Sequence, residues 1–501
     1  MSATSAAVPA EAEEQGQLHP RRWVALAVIA VSQLMVVLDA TIVNIALPQA
    51  QHDLGITDAD RPWAVTAYTL AFGGLLLLGG RIADYWGRKR TFLVGMVGFA
   101  LASALGGLAQ GGGMLFAARA LQGAFGALLA PASLALLTVL FTEAHERAKA
   151  FAVYGAIAGG GSAVGLVLGG VLTEYANWRW CLLVNIPIAL LALIPAIPLV
   201  PESRAHGDTR YDIPGAVTVT AGLVSLVYGF TKAADPALGW SSWRSLGFIV
   251  AGVLLLALFV LIEARSKNPL LPLRIVTNRN RGGAYLSSTL FGAGLFGAFL
   301  FLIFYFQRTL GYSPLRAGLS SLPVTLGVLV AAGVASQLMP RIGAKPLMIL
   351  GSLTAACAMF SLTRIDIHTS FPAHLLPSQI ALGLGLGFTF VPLSSLALVG
   401  VPEHDAGAAS ATLNATQQIG GSLGTALLNT MFASAVARYL TGHVPATPQE
   451  AGRIVQTATV HGYTVAFAWG SALILLATVL IIVLIKVRRE DLPIQGAVHA
   501  G

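Results

Sequence analysis

The chain has 501 residues, of which 55% are hydrophobic and only 10% charged, with a mean hydropathy of +0.74. A soluble domain carries about 25% charged residues. The composition therefore excludes a soluble enzyme and indicates an integral membrane protein whose apolar runs, near 20 residues each, are helices rather than barrel strands.

The net charge of +8 requires no nucleic acid, because basic cytoplasmic loops account for it. Cys181 and Cys357 both fall within apolar runs, which argues against a disulfide framework, and the ten histidines show no metal-ligand spacing. Residues 1–20, rich in Ala and Glu, read as a disordered cytoplasmic tail.

Fourteen spans follow in order. The first is Trp23–Leu47, entered after Arg21 and Arg22. The second is Pro62–Leu78, with Asp60 expected as N-cap and Pro62 in the first turn. Thr91–Ala109, Met114–Leu140, Ala148–Leu172 and Trp180–Val200 complete a first set of six. The polar stretch Pro201–Asp212 leads to spans seven and eight, Ile213–Thr231 and Ser245–Ile262, and the basic stretch Glu263–Arg281 follows them. The second set of six is Gly283–Phe306, Gly318–Leu338, Pro346–Leu362, His374–Val399, Ala406–Val436 and His461–Ile485.

Most of the 30 Lys and Arg residues fall in alternate loops, which places both termini in the cytoplasm. The expected organisation is a tail (1–20), an N-terminal six-helix bundle (21–200), a linker carrying spans seven and eight (201–281), a C-terminal six-helix bundle (282–486) and a second cytoplasmic tail (487–501). A faint repeat supports two halves: Met339–Lys345 stands where Asp84–Lys89 stands in the first half, and Pro402–Ala408 echoes Glu143–Lys149. Such repeats put a substrate site between the halves near the midplane. Spans seven and eight are expected outside both bundles.

The stretch Gly80–Arg90 reads as a tight charged loop between two spans. Gly80 and Gly87 permit a sharp reversal, and Asp84 stands near Arg88, Lys89 and Arg90. It resembles the signature loop between helices 2 and 3 of the major facilitator superfamily. Leu38–Pro48 resembles the first-helix signature of the fourteen-span drug:proton antiporters in that superfamily. Arg119–Ala127 resembles its fourth-helix motif, in which the arginine is linked to proton coupling. Gly161, Gly165 and Gly169, with Gly170, form a bare ridge in span five that is similar to the exporters' antiporter motif. Leu166 stands where that motif has a proline. Trp178-Arg179-Trp180 and Asn185-Ile186-Pro187 are similar to the exporters too, and read first as interfacial anchors and a helix bend.

Asp39 is the only acidic residue well inside an apolar run, and an intramembrane carboxylate is a functional candidate by default. The alternative is a structural polar group facing a wet crevice. Arg119 is the only basic residue well inside a span; it either couples protons with Asp39 or snorkels to the outer interface. Their depths agree, so the two are expected to meet in the outer half. Asn44, Gln122, Asn414 and Gln417 are candidates for a substrate cavity, with Asn44 and Gln122 open to a plain packing role. Gly383–Gly387 lies in a span without a following Lys and is not a nucleotide loop. The loop residues Gly80, Asp84, Gly87, Arg88 and Lys89 form a candidate latch, Asp84 approaching Ala406–Ser410 in an outward-facing state.

The resemblance covers residues 21–490. It implies an all-α integral membrane protein with the major facilitator fold, 14 transmembrane helices as two six-helix bundles plus two extra central helices. It implies a monomeric plasma-membrane exporter that exchanges protons for a small amphipathic organic compound, with no catalytic residue, no metal and no cofactor, the proton gradient being the energy source. Two rivals remain: a proton-coupled transporter of another metabolite or lipid on the same fold, and a non-transporting scaffold or receptor.

Overall fold

The computed structural model describes residues 21–204, 212–235, 238–266, 269–401, 406–443 and 447–487. The expected tail at 1–20, all but Val487 of the expected tail at 487–501, part of the linker at 205–211, and residues 402–405 of the Pro402–Ala408 stretch lie outside the described residues.

Among the described residues, fourteen helices are long and apolar enough to cross a membrane. They are α1 (Arg22–Asp53), α2 (Trp63–Trp86), α3 (Arg88–Gly107), α4 (Gly112–Leu140), α5 (Ala144–Tyr175), α6 (Trp180–Leu199), α7 (Ile213–Ala234) and α8 (Trp243–Arg265). After a short helix at Leu273–Thr277 come α9 (Arg279–Phe304, continued by a wider turn to Thr309), α10 (Pro314–Ile342), α11 (Ala344–Ser361), α12 (Leu376–Leu398), α13 (Ala406–Gly442) and α14 (Pro448–Leu484). Local chemistry sets several starts: Ser313 and Thr447 accept from the backbone N–H groups of Arg316 and Glu450, each with a proline as the next residue.

Several helices outrun their apolar cores. α1 continues through Pro48 to Asp53, and α14 begins thirteen residues before His461. Asp60 does not cap α2; its carboxylate accepts from the Thr57 hydroxyl instead, and Pro62 is itself the cap residue. The stretch Gly80–Arg90 is not a loop. α2 runs on to Trp86, α3 starts at Arg88, and the whole reversal falls on Gly87 at φ 126°. The matching point of the second half behaves likewise: α10 ends at Ile342, α11 starts at Ala344, and Gly343 between them has φ 87°. Only glycine accepts such angles without strain.

The faint repeat of the sequence is plain in the packing. In the first half α4 packs on α2 and α3, and α1 packs on α5 and α6. In the second, α12 packs on α10 and α11, and α9 packs on α13 and α14. The halves meet along two seams, α2 against α13 and α5 against α10. α7 lies across the first seam, touching α2 and α13, and α8 packs on α7 as the least buried of the fourteen.

The contacts between halves are unequal at the two faces. An even number of crossings puts the start of α1 and the end of α14 on one face, here the terminal face. On the far face the α5–α10 seam is tight: a Cβ on Gly170 would lie 2.6 Å from Leu315 Cα, and one on Gly318 would lie 2.4 Å from the Leu166 carbonyl. Further towards the terminal face the contact loosens: a Cβ on Gly159 would still meet Leu329 at 3.3 Å, and Gly155, Gly160 and Gly333 have open space beside them. Among the described residues the close backbone contacts between α5 and α10 lie towards the far face.

Candidate functional site

Asp39 lies midway along α1 and is fully buried. Arg119 Nη1 of α4 donates to its Oδ2 at 2.5 Å. Gln122 Nε2, one turn further along α4, donates to its Oδ1 at 2.7 Å, and Asn185 Nδ2 of α6 donates to the same oxygen at 2.9 Å. Ser103 Oγ of α3 accepts from both amides, at 2.6 and 3.2 Å. Arg119 is held in turn by the Ala64 carbonyl through Nε (2.9 Å), by Gln122 Oε1 (3.0 Å) and by the Tyr68 ring 4.5 Å away. Five helices thus converge on one ion pair, and none of Ser103, Arg119, Gln122 or Asn185 is more than 1% exposed.

A buried ion pair gains little net stability over apolar packing, whereas removing one partner costs roughly 3–5 kcal/mol. Closed off from water, the carboxylate receives three donors on its two oxygens.

A second polar centre lies on the far face. Arg61, in the turn before α2, is 1% exposed although the sequence placed it in an outer loop. Its guanidinium reaches into the second half, 4.5 Å from the Phe304 ring, 4.6 Å from Phe432 and 5.5 Å from Phe301. Nε donates to Asn429 Oδ1 of α13 at 3.2 Å, and Nη1 pairs with Asp58 at 3.5 Å. Asn429 returns a hydrogen bond to the Asp58 carbonyl. Burial alone would raise the Asp58 carboxyl, but Arg61, Gln51 and Arg308 outweigh it and hold the group below its ordinary value. Burial likewise pulls the Arg61 guanidinium down, against Tyr463 and Asp58. Gln307 to the Ile45 carbonyl (2.9 Å) and the Leu315 N–H to Glu174 (3.0 Å) close the rest of this face. No sequence signal marked Arg61, because a basic residue just outside an apolar run is ordinary.

The sequence profile described as the Major Facilitator Superfamily matches residues 29–425. The chain belongs to the major facilitator superfamily. It is 50% identical over 489 residues to puromycin resistance protein pur8 of Streptomyces alboniger, covering 97% of this chain and 95% of that one. It is 38% identical over 414 residues to the cephamycin export protein CmcT of Amycolatopsis lactamdurans, covering 82% and 85%. Its fold is similar to that of a bacterial homologue of the lysosomal transporter Spinster, with a TM-score of 0.66 at 13% identity over 94% of this chain and 98% of that one. The chain is a multi-pass membrane transporter of this superfamily and not an enzyme.

The superfamily's signature stretch sits at the terminal face. Asp84 accepts from Arg88 Nη2 at 3.0 Å, within its own half. Glu202, just past α6, accepts from the Lys89 backbone N–H and pairs with Arg90, and Lys89 Nζ donates to the Ile197 carbonyl. Gly80 faces only Pro131. In this state the stretch is tied to its own bundle through Arg88 and Ile197, and to the linker through Glu202 and through Arg81 Nη2, which donates to the Pro269 carbonyl at 3.2 Å. The α5 glycines divide by partner: Gly161, Gly165 and Gly169 seat Leu34, Thr41 and Ile42 of α1, whereas Gly170 seats Leu315 of the other half.

The cavity candidates also divide. Gln122 does not face a cavity here; it is buried and serves Asp39 and Arg119. Asn44 Nδ2 bonds the Ala40 carbonyl of its own helix. Asn414 bonds the Ser410 carbonyl and is exposed on an otherwise well-buried stretch of α13. Gln417 is half-buried, its carbonyl against Gly292 of α9. Asn185, read from sequence as part of a helix bend, is a direct partner of Asp39.

Proposed function

We propose that this transporter exports small amphipathic organic compounds of the drug or antibiotic class from the cytoplasm across the plasma membrane, in exchange for protons. In this reading the terminal face is cytoplasmic, which the excess of Lys and Arg in its loops supports, and the described state, with its tight contacts on the far face, is the one that loads substrate from the cytoplasm. The names of the two relatives, a resistance protein and an export protein, support the direction. The proton gradient is the energy source, no cofactor takes part, and the monomer is the working unit.

The observation that carries this reading is the sealed Asp39–Arg119 pair with its ring of amide donors. Asp39 takes a proton when the far face opens and water reaches it, and returns it to the cytoplasm once Arg119 re-engages. Proton and substrate therefore use opposite states of one pump. The two six-helix bundles, 21–200 and 282–486, rock about the seams between them, and the segment 201–281 with α7 and α8 accompanies one flank. When the cytoplasmic ends close, Gly80, Asp84, Gly87, Arg88 and Lys89 act as a latch, Asp84 meeting the start of α13, where a helix N-terminus favours a carboxylate by roughly 0.3–1 kcal/mol. The cytoplasmic end of the α5–α10 seam, with Asn414 and Gln417 on α13 of the second half, is the entry for substrate.

The test uses inverted vesicles with puromycin as the probe. Acidifying the vesicle interior should drive uptake into the lumen, the equivalent of export. Asp39→Asn should abolish that drive while leaving probe binding within a few-fold of wild type. Near wild-type pumping by Asp39→Asn would remove the coupling role. Probe movement in the opposite direction would favour a proton-coupled importer.

A further inference from the structure

Asn185 carries an unusual acceptor. Its Nδ2 donates to Asp39 and to Ser103, but its Oδ1 is fully buried with no hydrogen-bond partner. A buried acceptor left unmet is costly, and such groups in native interiors call for a reason.

An ionised carboxylate only accepts hydrogen bonds, but a carboxylic acid has an O–H that needs an acceptor. Around Asp39 acceptors are scarce. Arg119 has none. Gln122 Oε1 and the Ala64 carbonyl are both occupied by Arg119. Ser103 Oγ already receives two N–H groups. Two further titratable groups feel the Asp39 charge, Tyr68 of α2, whose hydroxyl lies beside Gly126 about two turns along α4 from Arg119, and Cys181 at the start of α6. The Cys181 thiol is occupied by Thr173 and the Gly169 carbonyl. Among the side chains that bond Asp39, Asn185 Oδ1 is the acceptor left over. The two ends of an amide are nearly equal in size, so turning it over exchanges donor for acceptor without new space.

We propose that Asn185 is the positioning residue that lets Asp39 hold a proton inside the sealed site. It donates Nδ2–H to the carboxylate and, with its amide turned over, accepts the O–H of the acid on Oδ1. The proton comes from water at the far face, forms the O–H bond on an Asp39 oxygen, and returns to water at the terminal face, leaving the protein unchanged over a cycle. Protonated Asp39 then needs neither Arg119 nor Gln122, which frees α4 to move while α6 keeps the acid satisfied. This rests on the proton role given to Asp39 above.

The test needs no substrate. In purified full-length protein, infrared difference spectra across a pH titration should show a carboxylic-acid carbonyl band that Asp39→Asn removes. In Asn185→Leu the acid loses its acceptor, and the band should move to higher frequency, with a thermal melt confirming a folded protein. Asn185→Ala serves if the leucine variant does not fold. A band unmoved by loss of the amide would overturn the role of Asn185 alone. A wild type without the band, or an Asp39→Asn variant that keeps it, would instead sink the proton role of Asp39 and this inference with it.

Discussion

The guanidinium of Arg61 lies 4.5 Å from the centre of the Phe304 ring, and the two residues belong to opposite halves of the molecule. Only when the far face is closed can a cation from the first half sit among Phe301, Phe304 and Phe432 of the second. Desolvated cation–π contacts are worth about 2 kcal/mol. Arg61→Ala should therefore shift the balance towards the far-face-open state by about 30-fold. Spin-label distances between the far ends of α5 and α10 should lengthen in the variant. Unchanged distances would show that the cage is packing without a gating role.

The pH behaviour of that closure follows from Asp58. Its carboxyl is held below its ordinary value in the closed state, by Arg61, Gln51 and Arg308 against burial. A depressed value means that the closed state gains fully from Asp58 at any pH above that of a free carboxylate, about 3.9. The gain is lost only as pH falls through the lowered value. In Asp39→Asn protein, far-face distances should therefore be insensitive to external pH between about 5 and 8. If they opened across that window in Asp39→Asn protein, a titrating group on the far face would be responsible and the role of Asp58 would need revision.

Two glycine substitutions should have different consequences. A Cβ on Gly123 would meet the Tyr68 carbonyl at 2.2 Å, between α4 and α2 of one half. A Cβ on Gly170 would meet Leu315 Cα at 2.6 Å, between the halves. Overpacking costs about 1–3 kcal/mol. Gly123→Ala should lower the melting temperature in detergent. Gly170→Ala should leave the melt nearly unchanged and instead open the far face, seen as greater labelling of cysteines placed along the seam. Equal loss of thermal stability in both would contradict the division.

The paired hinges give a graded expectation. An alanine at Gly87 meets both a forbidden φ and the Glu202 carboxylate at 2.6 Å, whereas at Gly343 the space is open and only the backbone objects. Backbone strain of this kind costs about 1–3 kcal/mol. Gly343→Ala should be the milder variant in a thermal melt, and Gly87→Ala should also lose the Glu202 contacts to Lys89 and Arg90.

The sequence by itself determined the spans and the buried charges. Apolar length is a local property, and a charge inside an apolar run is costly wherever its neighbours lie, so Asp39 and Arg119 stand out before any folding is considered. Their meeting could be inferred from depth along antiparallel helices. The reversal at Gly87 was also written in the sequence, but its extent was not: Gly80–Trp86 looks like a loop by charge and is helix because the backbone needs only one glycine to turn. Tertiary structure alone decided which faces of the helices meet. Ser103, Gln122 and Asn185 are polar groups whose partners no hydropathy pattern specifies, yet packing brings them together around one carboxylate. Arg61 looks like any flanking cation until the second half supplies aromatic rings around it. The partner of each α5 glycine likewise depends on which half lies opposite, a relation between helices more than a hundred residues apart that no local pattern carries.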